Sequence, residues 1–312
     1  MKNSSNKAIT VVIPVYGDWT SLKQCIDSLK KYVDNSKHMV MLVNDCGPDV
    51  NEIEAGIKNA IKGAQNFTYY RNKKNLGFVG TCNKAVNELD ITLNDIMLLN
   101  SDTKVTEGFL DEMSDVLYTS KKHGVVSPRS NNATLATIPL SSAPQKGIDQ
   151  DESYEIFNSI KQKLPKFVEV PVAHGFCMLI KRDLIKRFGL FDPIFGKGYG
   201  EEVDFCMRIK KGGYKSLLSN RAYVYHLEAR SFTLESKAKM LEVNNKIVWE
   251  RYPKYRQLVR DYMVEAQARE LQAERSAGLN LSESKDSGLK VLIKSNKYTY
   301  KFAKKIRDMF RN

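Results

Sequence analysis

The sequence predicts an α/β fold with a mainly parallel sheet flanked by helices, followed by a C-terminal helical extension. Short apolar runs alternate with amphipathic helical patterns over residues 8–99. Polar or turn-forming residues follow each apolar run. A segment rich in Ala, Glu, Gln and Arg then precedes a basic C-terminus. Strands that alternate with helices are typical of βαβ units, in which neighbouring strands are parallel.

Four apolar runs are predicted as the strands of the parallel part of the sheet. The first, residues 8–15, is apolar along almost its whole length, as expected of a strand buried on both faces. The other three are residues 39–43, 67–70 and 95–99. Apolar side chains at helical spacing predict helices over residues 21–33, 53–61 and 77–89.

The pattern is weaker in the second half of the chain. Residues 141–165 are polar and are predicted to vary in position, whereas residues 264–277 are predicted to form an exposed helix. The remaining predicted elements are strands over 168–172, 176–180 and 223–226, and helices over 184–188, 203–211 and 237–252. We place a domain over residues 1–262 and a helical, basic extension over 263–312.

Composition limits the class of protein. The 312 residues, 42% hydrophobic and 27% charged, fit a globular chain with a large core. No apolar run approaches the roughly 20 residues that span a bilayer, and residues 1–7 are polar, unlike a signal peptide. The five cysteines show no C-x-x-C spacing, which argues against a structural zinc site and fits a reducing cytoplasm.

The basic charge is concentrated at the C-terminus. Net charge is +13, and residues 285–312 hold nine basic and two acidic side chains. After a Ser/Gly/charged linker at 278–288, residues 289–310 are predicted to form a basic amphipathic helix. Such a block suits an anionic partner, either a membrane or a nucleic acid. Packing on the core or on a second subunit is the alternative, so a homo-oligomer stays possible.

Two groups of polar residues suggest chemistry. Asn100, Ser101 and Asp102 follow the fourth strand, at the sheet edge where open α/β sheets bind ligands. Glu201, Glu202 and Asp204 follow a glycine-rich turn at 196–200. The first group is suited to binding a metal-bound diphosphate, and the second is suited to accepting a proton. Together they indicate a site for sugar transfer.

Ordered motifs carry a resemblance to a known family. They are residues 12–16 (VIPVY), 44–49 (NDCGPD), 75–83 (NLGFVGTCN), 99–103 (LNSDT), 189–192 (GLFD), 200–204 (GEEVD) and 225–226 (YH). Over residues 9–252 the chain resembles the inverting family 2 glycosyltransferases with a GT-A fold. Residues 130–134 (SNNAT) are similar to the subgroup that builds bacterial surface polysaccharides, including rhamnosyl- and galactosyltransferases.

The resemblance implies a divalent cation, Mn²⁺ or Mg²⁺, at the end of the fourth strand. Asp102 is the principal expected ligand, and His226 is expected to be a second ligand or a diphosphate contact. The alternatives are a turn-capping carboxylate and a hydrogen-bonded core histidine. The metal motif begins with Asn100, where many relatives have Asp, so one carboxylate fewer is available.

A nucleoside-diphosphate sugar is the implied donor. Asp45 is expected to meet its nucleobase or ribose, although an Asx turn would also explain this residue. Asn75 is expected near the donor and could equally be a plain N-cap. The full set of expected donor-binding residues is Pro14, Tyr16, Asn44, Asp45, Asn75, Gly77, Asn83, Asn100 and Ser101.

Glu202 is the expected general base, because inversion by a single displacement needs one base at the acceptor hydroxyl. A helix N-terminal charge is the alternative and fits Glu201 better. The usual Glu-Asp pair of the family is here Glu201-Glu202. Asp192 and Asp204 are ranked as structural support first and acceptor contacts second. The other expected acceptor-side residues are Asn131, Asn132, His174 and Gly175, the last two forming a floor or a core turn.

The expected function is transfer of a sugar to a saccharide or lipid-linked saccharide acceptor in bacterial cell-surface polysaccharide synthesis. The expected location is the cytoplasm, peripheral at the inner face of the cell membrane, with the basic helix on anionic lipid. A catalytically silent nucleotide-sugar-binding module is one alternative. A nucleic-acid-binding protein is less favoured, because the charge lies in the tail and no nucleic-acid-binding motif is present.

Overall fold

The computed structural model describes residues 7–140, 150–227 and 234–279. These residues form an α/β fold in which helices pack against a mixed, nine-stranded sheet. The strands are β1 (Ile9–Val15), β2 (Met39–Asn44), β3 (Phe67–Arg71), β4 (Asp95–Leu99), β5 (Thr103–Val105), β6 (His123–Arg129), β7 (Phe167–Val170), β8 (Cys177–Ile180) and β9 (Lys215–His226). The helices are α1 (Trp19–Tyr32), α2 (Val50–Ala60), α3 (Gly77–Lys84), α4 (Phe109–Tyr118), α5 (Gln150–Ile160), α6 (Arg182–Phe188), α7 (Glu201–Lys211), α8 (Leu234–Arg251) and α9 (Tyr255–Ser276).

The first half of the sheet is parallel, as predicted. The strand order is β3-β2-β1-β4-β8-β6-β9-β5, and β7 pairs with β9. β1 is parallel to both β2 and β4, and β2 is parallel to β3. Six of the seven β1 residues are buried, which explains the nearly unbroken apolar run. The carboxyl ends of β1 to β4 therefore meet at one edge of the sheet.

The second half of the sheet brings the ends of two distant strands together. β8 is antiparallel to β4 and β6, and β9 is parallel to β6. The short strand β5, which directly follows the β4 turn, pairs antiparallel with β9 so that Thr103 lies opposite His226. This register places Asp102 beside the end of β9.

The sequence patterns miss four elements, β5, α4, β6 and α5. The prediction of a polar, variable segment over 141–165 is wrong for residues 150–160, which form α5. Ile156, Phe157 and Ile160 of α5 pack with Tyr223 of β9 in a second apolar cluster. Residues 141–149 lie outside the described part of the chain.

The prediction of an exposed helix over residues 264–277 is also wrong. α9 begins earlier, at Tyr255, and one of its faces is buried. Glu270 on that face forms an ion pair with Arg129 of β6, with 3.4 Å between nitrogen and oxygen and 4% and 2% of the side chains exposed. The predicted boundary between residues 262 and 263 falls inside this helix.

Residues 280–312 lie outside the described residues. They include the predicted amphipathic helix over 289–310 and most of the predicted linker over 278–288. Among the helices described, none combines the length and apolar character needed to cross a membrane.

Candidate active site

The first predicted donor-side residues lie where β1 and β2 end. Pro14 is paired with Val43 across the two strands, and Asp45 donates its backbone N–H to the Val15 carbonyl at 2.7 Å. Tyr16 follows directly and packs tightly against the turn after β2. A Cβ on Gly47 would lie 1.6 Å from the Tyr16 carbonyl oxygen, so only glycine allows this approach.

Asp45 is buried and ties the end of β2 to the start of α3. Its Oδ1 accepts hydrogen bonds from Asn72 Nδ2 at 2.9 Å and from the Leu76 backbone N–H at 2.8 Å. The Asn44 side chain turns back on the chain and accepts from the Cys46 N–H at 3.1 Å. Both hydrogen bonds to Asp45 fall on one carboxylate oxygen, and Oδ2 receives none from the described residues.

The start of α3 is shaped by Asn75 and Gly77. Asn75 is exposed, and its Oδ1 accepts from the Gly77 N–H at 3.0 Å in an Asx turn, whereas the N-cap of α3 is Leu76. Gly77 has φ of +73°, and a Cβ there would lie 3.0 Å from the Lys197 Cα. A side chain at this position would therefore be strained and would press on the loop before α7.

Asn83 differs from the predicted donor contact. Its Nδ2 donates to the Phe191 carbonyl at 2.8 Å, and its Oδ1 accepts from the Phe191 N–H at 3.1 Å. Both polar groups of the amide are thus satisfied by backbone. Asn83 links α3 to the segment that leads towards α7.

The turn after β4 brings Asp102 to His226. Asn100 donates its N–H to the Phe176 carbonyl at 2.8 Å and accepts from the Thr103 hydroxyl at 2.7 Å, and Ser101 lies in the same turn. The Asp102 Oδ1 lies 3.5 Å from His226 Nε2. These are the two predicted metal ligands, and the fold places them side by side.

The hydrogen bonds of His226 orient its ring. The His226 Nδ1 lies 2.8 Å from the Asn132 carbonyl oxygen, which can only accept, so Nδ1 carries the proton in the neutral ring. Nε2 then offers its lone pair on the side of Asp102. Metal-ligating histidines usually donate the N–H of one ring nitrogen to a carbonyl or carboxylate and bind the metal through the other nitrogen.

Asn131 and Asn132, which were predicted to lie on the acceptor side, contact His226. Asn131 Oδ1 accepts from the His226 N–H at 2.8 Å, and its Nδ2 donates to the His226 carbonyl at 3.0 Å. The Phe176 ring stacks on the imidazole with 5.1 Å between centroids. These contacts fix the backbone and the ring plane of His226.

The protein offers few ligands for a cation here. Within residues 7–140, 150–227 and 234–279, no three His, Cys, Asp or Glu side chains converge. One carboxylate oxygen and one imidazole nitrogen are donors that suit Mn²⁺, with oxygen ligands favoured by Mg²⁺ as well. The remaining ligands would have to come from donor phosphate and water. The two residues therefore fit a cation that is shared with a bound diphosphate.

Glu201 and Glu202 open α7 after a loop of unusual backbone conformation. Tyr199 in this loop has φ of +70°, and Gly200 is the N-cap with φ of +103°. The Glu202 Oε2 accepts from the Gly200 N–H at 3.3 Å. A Cβ on Gly175 would lie 3.9 Å from the Glu202 Cβ, so Glu202 stands directly over the turn at 174–175.

Burial changes the protonation of both glutamates. Burial raises the pKa of Glu202, which suits a group that must accept a proton near neutral pH. Burial, followed by the nearby Glu202 carboxylate, raises the pKa of Glu201 well above its usual value. Both pKa shifts favour the protonated form of the carboxyl group.

His174 belongs to the segment between the Asp102–His226 pair and the two glutamates. In this segment Phe176 stacks on His226, and Gly175 lies close to Glu202. The His174 carbonyl accepts from the Ser127 hydroxyl at 3.2 Å, and the His174 Nε2 is buried with no hydrogen-bond partner among the described residues. Burial, followed by the charge of His226, lowers the pKa of His174 to about 4. The imidazole is therefore neutral at neutral pH.

Asp192 and Asp204 are joined by an arginine that sequence reasoning missed. Arg251 of α8 lies 2.8 Å from Asp192 Oδ2 and 2.9 Å from Asp204 Oδ1. Asp204 also pairs with Arg208 at 2.7 Å and accepts from the Tyr252 hydroxyl at 2.8 Å. Their contacts are those of structural support.

Asn244 is a second missed residue. It is buried on α8, and its Nδ2 donates to the Phe195 carbonyl at 3.1 Å and to the Gly198 carbonyl at 2.8 Å. It thus fixes the loop that leads to Glu201 and Glu202. No sequence signal marks Asn244 or Arg251, because their partners lie 46–59 positions away.

Comparison with known proteins defines the class of this fold. The mannosyltransferase PcManGT of Pyrobaculum calidifontis, solved with GDP-Man and Mn²⁺, has a TM-score of 0.57 at 13% identity, over 91% of this chain and 78% of that one. Residues 1–349 of Staphylococcus aureus TarS have a TM-score of 0.51 at 15% identity, over 88% and 84%. The fold is the GT-A fold.

A family model identifies the chain further. The model described as Glycosyl transferase family 2 matches residues 10–189, and the chain belongs to this family. The low-salt glycan biosynthesis hexosyltransferase Agl10 of Haloferax volcanii is 25% identical over 139 residues, 44% of each chain. An uncharacterised Mycobacterium tuberculosis protein is 28% identical over 132 residues, 42% of this chain and 45% of its own. The chain thus matches less than half the length of these curated relatives.

Proposed function

We propose that the protein is a metal-dependent, inverting glycosyltransferase that moves a hexosyl group from a nucleoside-diphosphate sugar to an acceptor hydroxyl. The observation that carries this proposal is the pairing of Asp102 Oδ1 with His226 Nε2 at 3.5 Å, at the sheet edge beside Asp45 and α3. Glu202, on the far side of the 174–176 segment, supplies the base.

The proposed mechanism divides between two sides of the site. On the donor side, Asp45 and the start of α3 bind the nucleoside, while Asp102 and His226 hold the cation. A divalent cation bound there would neutralise charge on the diphosphate leaving group. On the acceptor side, the Glu202 carboxylate takes the proton from the attacking hydroxyl as its oxygen bonds to the anomeric carbon. A single displacement inverts that carbon.

Relatives support the donor chemistry. The Haloferax volcanii relative is named a hexosyltransferase. The Pyrobaculum calidifontis structure holds GDP-Man with Mn²⁺, and that of GalNAc-T7, at TM-score 0.57 and 14% identity over 89% of this chain and 55% of that one, holds UDP, GalNAc and Mn²⁺. We infer a nucleoside-diphosphate sugar and Mn²⁺ or Mg²⁺ for this chain.

For the acceptor we propose a saccharide or lipid-linked saccharide of bacterial cell-surface polysaccharide synthesis, at the cytoplasmic face of the membrane. The support is the resemblance of residues 130–134 to that subgroup and the basic residues of 285–312. A lipid-linked acceptor would be presented at an anionic surface, which the C-terminal cations suit. Nucleic acid is not among the proposed partners.

Hydrolysis of the donor tests whether Asp102 binds a catalytic metal ion. A screen of UDP-, dTDP- and GDP-sugars with Mn²⁺ should identify a donor that the wild type turns over. Asp102→Ala should abolish that turnover with little loss of stability, because the carboxylate is a ligand rather than a core contact. Asp111→Ala, an exposed carboxylate on α4, is the matched control and should keep full activity. Undiminished, metal-dependent turnover by a folded Asp102→Ala protein would reject the assignment.

A further inference from the structure

We propose that Glu201 holds a proton and donates it to the Glu202 carboxylate, so that this buried pair carries one negative charge, located on Glu202. Glu201 is then a positioning residue that keeps the base ionised. This inference rests on the proposed role of Glu202 as general base.

The surroundings of Glu201 favour a neutral carboxyl group. The side chain is 5% exposed, and its Oε2 receives no hydrogen bond from the described residues. Both carboxyl oxygens lie 4.0 Å from where a Cβ on Gly198 would stand. An ionised carboxylate that is enclosed without donors is costly, whereas a protonated one needs only a single acceptor.

No cation in the described residues compensates the pair. Neither Glu201 nor Glu202 belongs to any ion pair there, and Lys197 of the preceding loop is exposed and pairs with neither. The titratable groups nearest the two glutamates are Cys82 of α3, Cys206 of α7, Tyr255 of α9 and His174 of the turn beneath Glu202. Burial raises the pKa of the two thiols and the phenol and lowers the pKa of His174 to about 4, so all four are neutral. Two adjacent carboxylates in such surroundings cannot both ionise.

The hydrogen bonds decide which glutamate keeps the proton. Beyond the effect of burial, the interaction between the two carboxyl groups raises the pKa of Glu201 and lowers that of Glu202. Glu202 is partly exposed and accepts the Gly200 N–H at 3.3 Å, and both features stabilise a negative charge. Glu201 lacks both. The shared proton therefore belongs on Glu201, whose O–H donates to Glu202.

The pair gives Glu202 two properties at once. Burial makes its carboxylate basic enough to accept the hydroxyl proton, while the Glu201 O–H keeps it from being protonated before substrate arrives. When the acceptor hydroxyl transfers its proton to Glu202, both carboxyl groups are neutral, and the departing diphosphate carries the negative charge away.

Infrared spectroscopy of the full, ligand-free chain tests the proton directly. At neutral pH the protonated carboxyl C=O bands of the wild type should include one band that is lost in Glu201→Gln and persists in Glu202→Gln. Glu265→Gln, an exposed position on α9, is the control and should leave the band unchanged. Loss of the band in Glu202→Gln, or its persistence in Glu201→Gln, would overturn the proposal.

The pH dependence of transfer tests the consequence. Glu201→Gln keeps a donor to Glu202 and should retain the wild-type acid limb of kcat. Glu201→Leu removes the donor and should move that limb upwards by about one to two pH units, the size expected for a hydrogen bond to a charged group. An unmoved limb in a folded Glu201→Leu protein would reject the proton donation. Full activity of Glu202→Gln would instead reject Glu202 as the base, whatever the infrared result.

Discussion

The position of His226 depends on contacts that reach across much of the chain. Asn131 clamps its backbone, the Asn132 carbonyl fixes its tautomer and the Phe176 ring fixes its plane. Asp102 reaches it only because Thr103 pairs with it across two strands. The proposed ligand pair is therefore preorganised, so that binding of a cation and diphosphate would require little further ordering.

Glu202→Gln should keep donor binding and lose transfer by a factor of about 100 or more, the usual contribution of a positioned base. The amide preserves the size of the side chain but cannot accept the hydroxyl proton. Glu201→Gln is the matched neighbour and should be milder. Single-turnover rates and nucleotide affinity, measured on both proteins, check the prediction. A larger loss for Glu201→Gln would assign the base to the other glutamate.

From the sequence, the location of a residue near the site is easier to predict than its role. Asp102, His226 and Glu202 follow motifs with fixed places at strand and helix ends, so their neighbourhood could be predicted. The role of Asn83 could not, because it depends on the Phe191 backbone, 108 positions away. Likewise, the sequence favours structural support for Asp204 but does not reveal its partner Arg251, 47 positions on.

Among whole elements, buried strands were the easiest to predict, and elements defined by distant partners were missed. β1, β2 and β4 are buried, and their burial is visible as nearly unbroken apolar sequence, whereas β3 has one buried residue. β5 has only three residues, and its pairing with β9 lies more than a hundred positions away. α5 did carry a signal, since Ile156 and Ile160 are spaced one helical turn apart, but polar neighbours obscured it.

α9 is anchored to the sheet by a charge that could not be placed from sequence. Glu270→Ala should lower the free energy of unfolding by about 3–5 kcal/mol, because it leaves the Arg129 guanidinium buried without its counter-charge. Urea denaturation measures the change. Asp27→Ala breaks the exposed Lys23–Asp27 pair on α1 and is the control, with an expected change of about 0–1 kcal/mol. Equal, small changes would show that α9 contributes little to stability.

The same helix makes stability depend on pH. Burial, followed by the charge of Glu270, raises the pKa of Glu274 from 4.5 to about 7. The folded state then holds a proton that the unfolded state releases, so this contribution is full below pH 4.5 and is lost as pH rises through about 7. Glu274→Gln, which stays neutral, should therefore be stabilised relative to wild type at pH 8 and little changed at pH 4.5.

Thermal unfolding at the two pH values measures this difference. Glu265→Gln on the exposed face of α9 is the control, and its melting temperature should follow that of the wild type at both values. If the melting temperature of Glu274→Gln also equals that of the wild type at pH 8, ionisation of Glu274 does not destabilise the folded protein.

Across the whole molecule, the residues that match the family model and the residues of the proposed site overlap only in part. The family model covers residues 10–189, which hold Asp45 and Asp102. Glu202, His226 and the helices that support them follow it. The proposed site therefore joins residues inside the matched segment to residues that follow it.

The basic C-terminus extends this molecule beyond the described residues, and its sequence predicts membrane docking. Phe302, Ile306 and Phe310 are spaced four residues apart, and the basic side chains among them are Lys301, Lys304, Lys305, Arg307 and Arg311. As a helix, such a segment would bury its apolar stripe at the headgroup boundary, while each cation near an anionic surface contributes about 1 kcal/mol.

Replacing Lys301, Lys304 and Lys305 by Glu in the full chain should weaken binding to phosphatidylglycerol-containing vesicles by about 100-fold or more, since three such contributions are lost. Vesicle sedimentation at low salt measures it, with phosphatidylcholine vesicles expected to bind neither protein. The matched control replaces three exposed lysines elsewhere, Lys62, Lys121 and Lys122, and should bind as the wild type does. Equal binding by both triple variants would show that net charge alone attracts the protein. No binding by the wild type, together with a change of oligomeric state in the tail variant, would assign the segment to a second subunit instead.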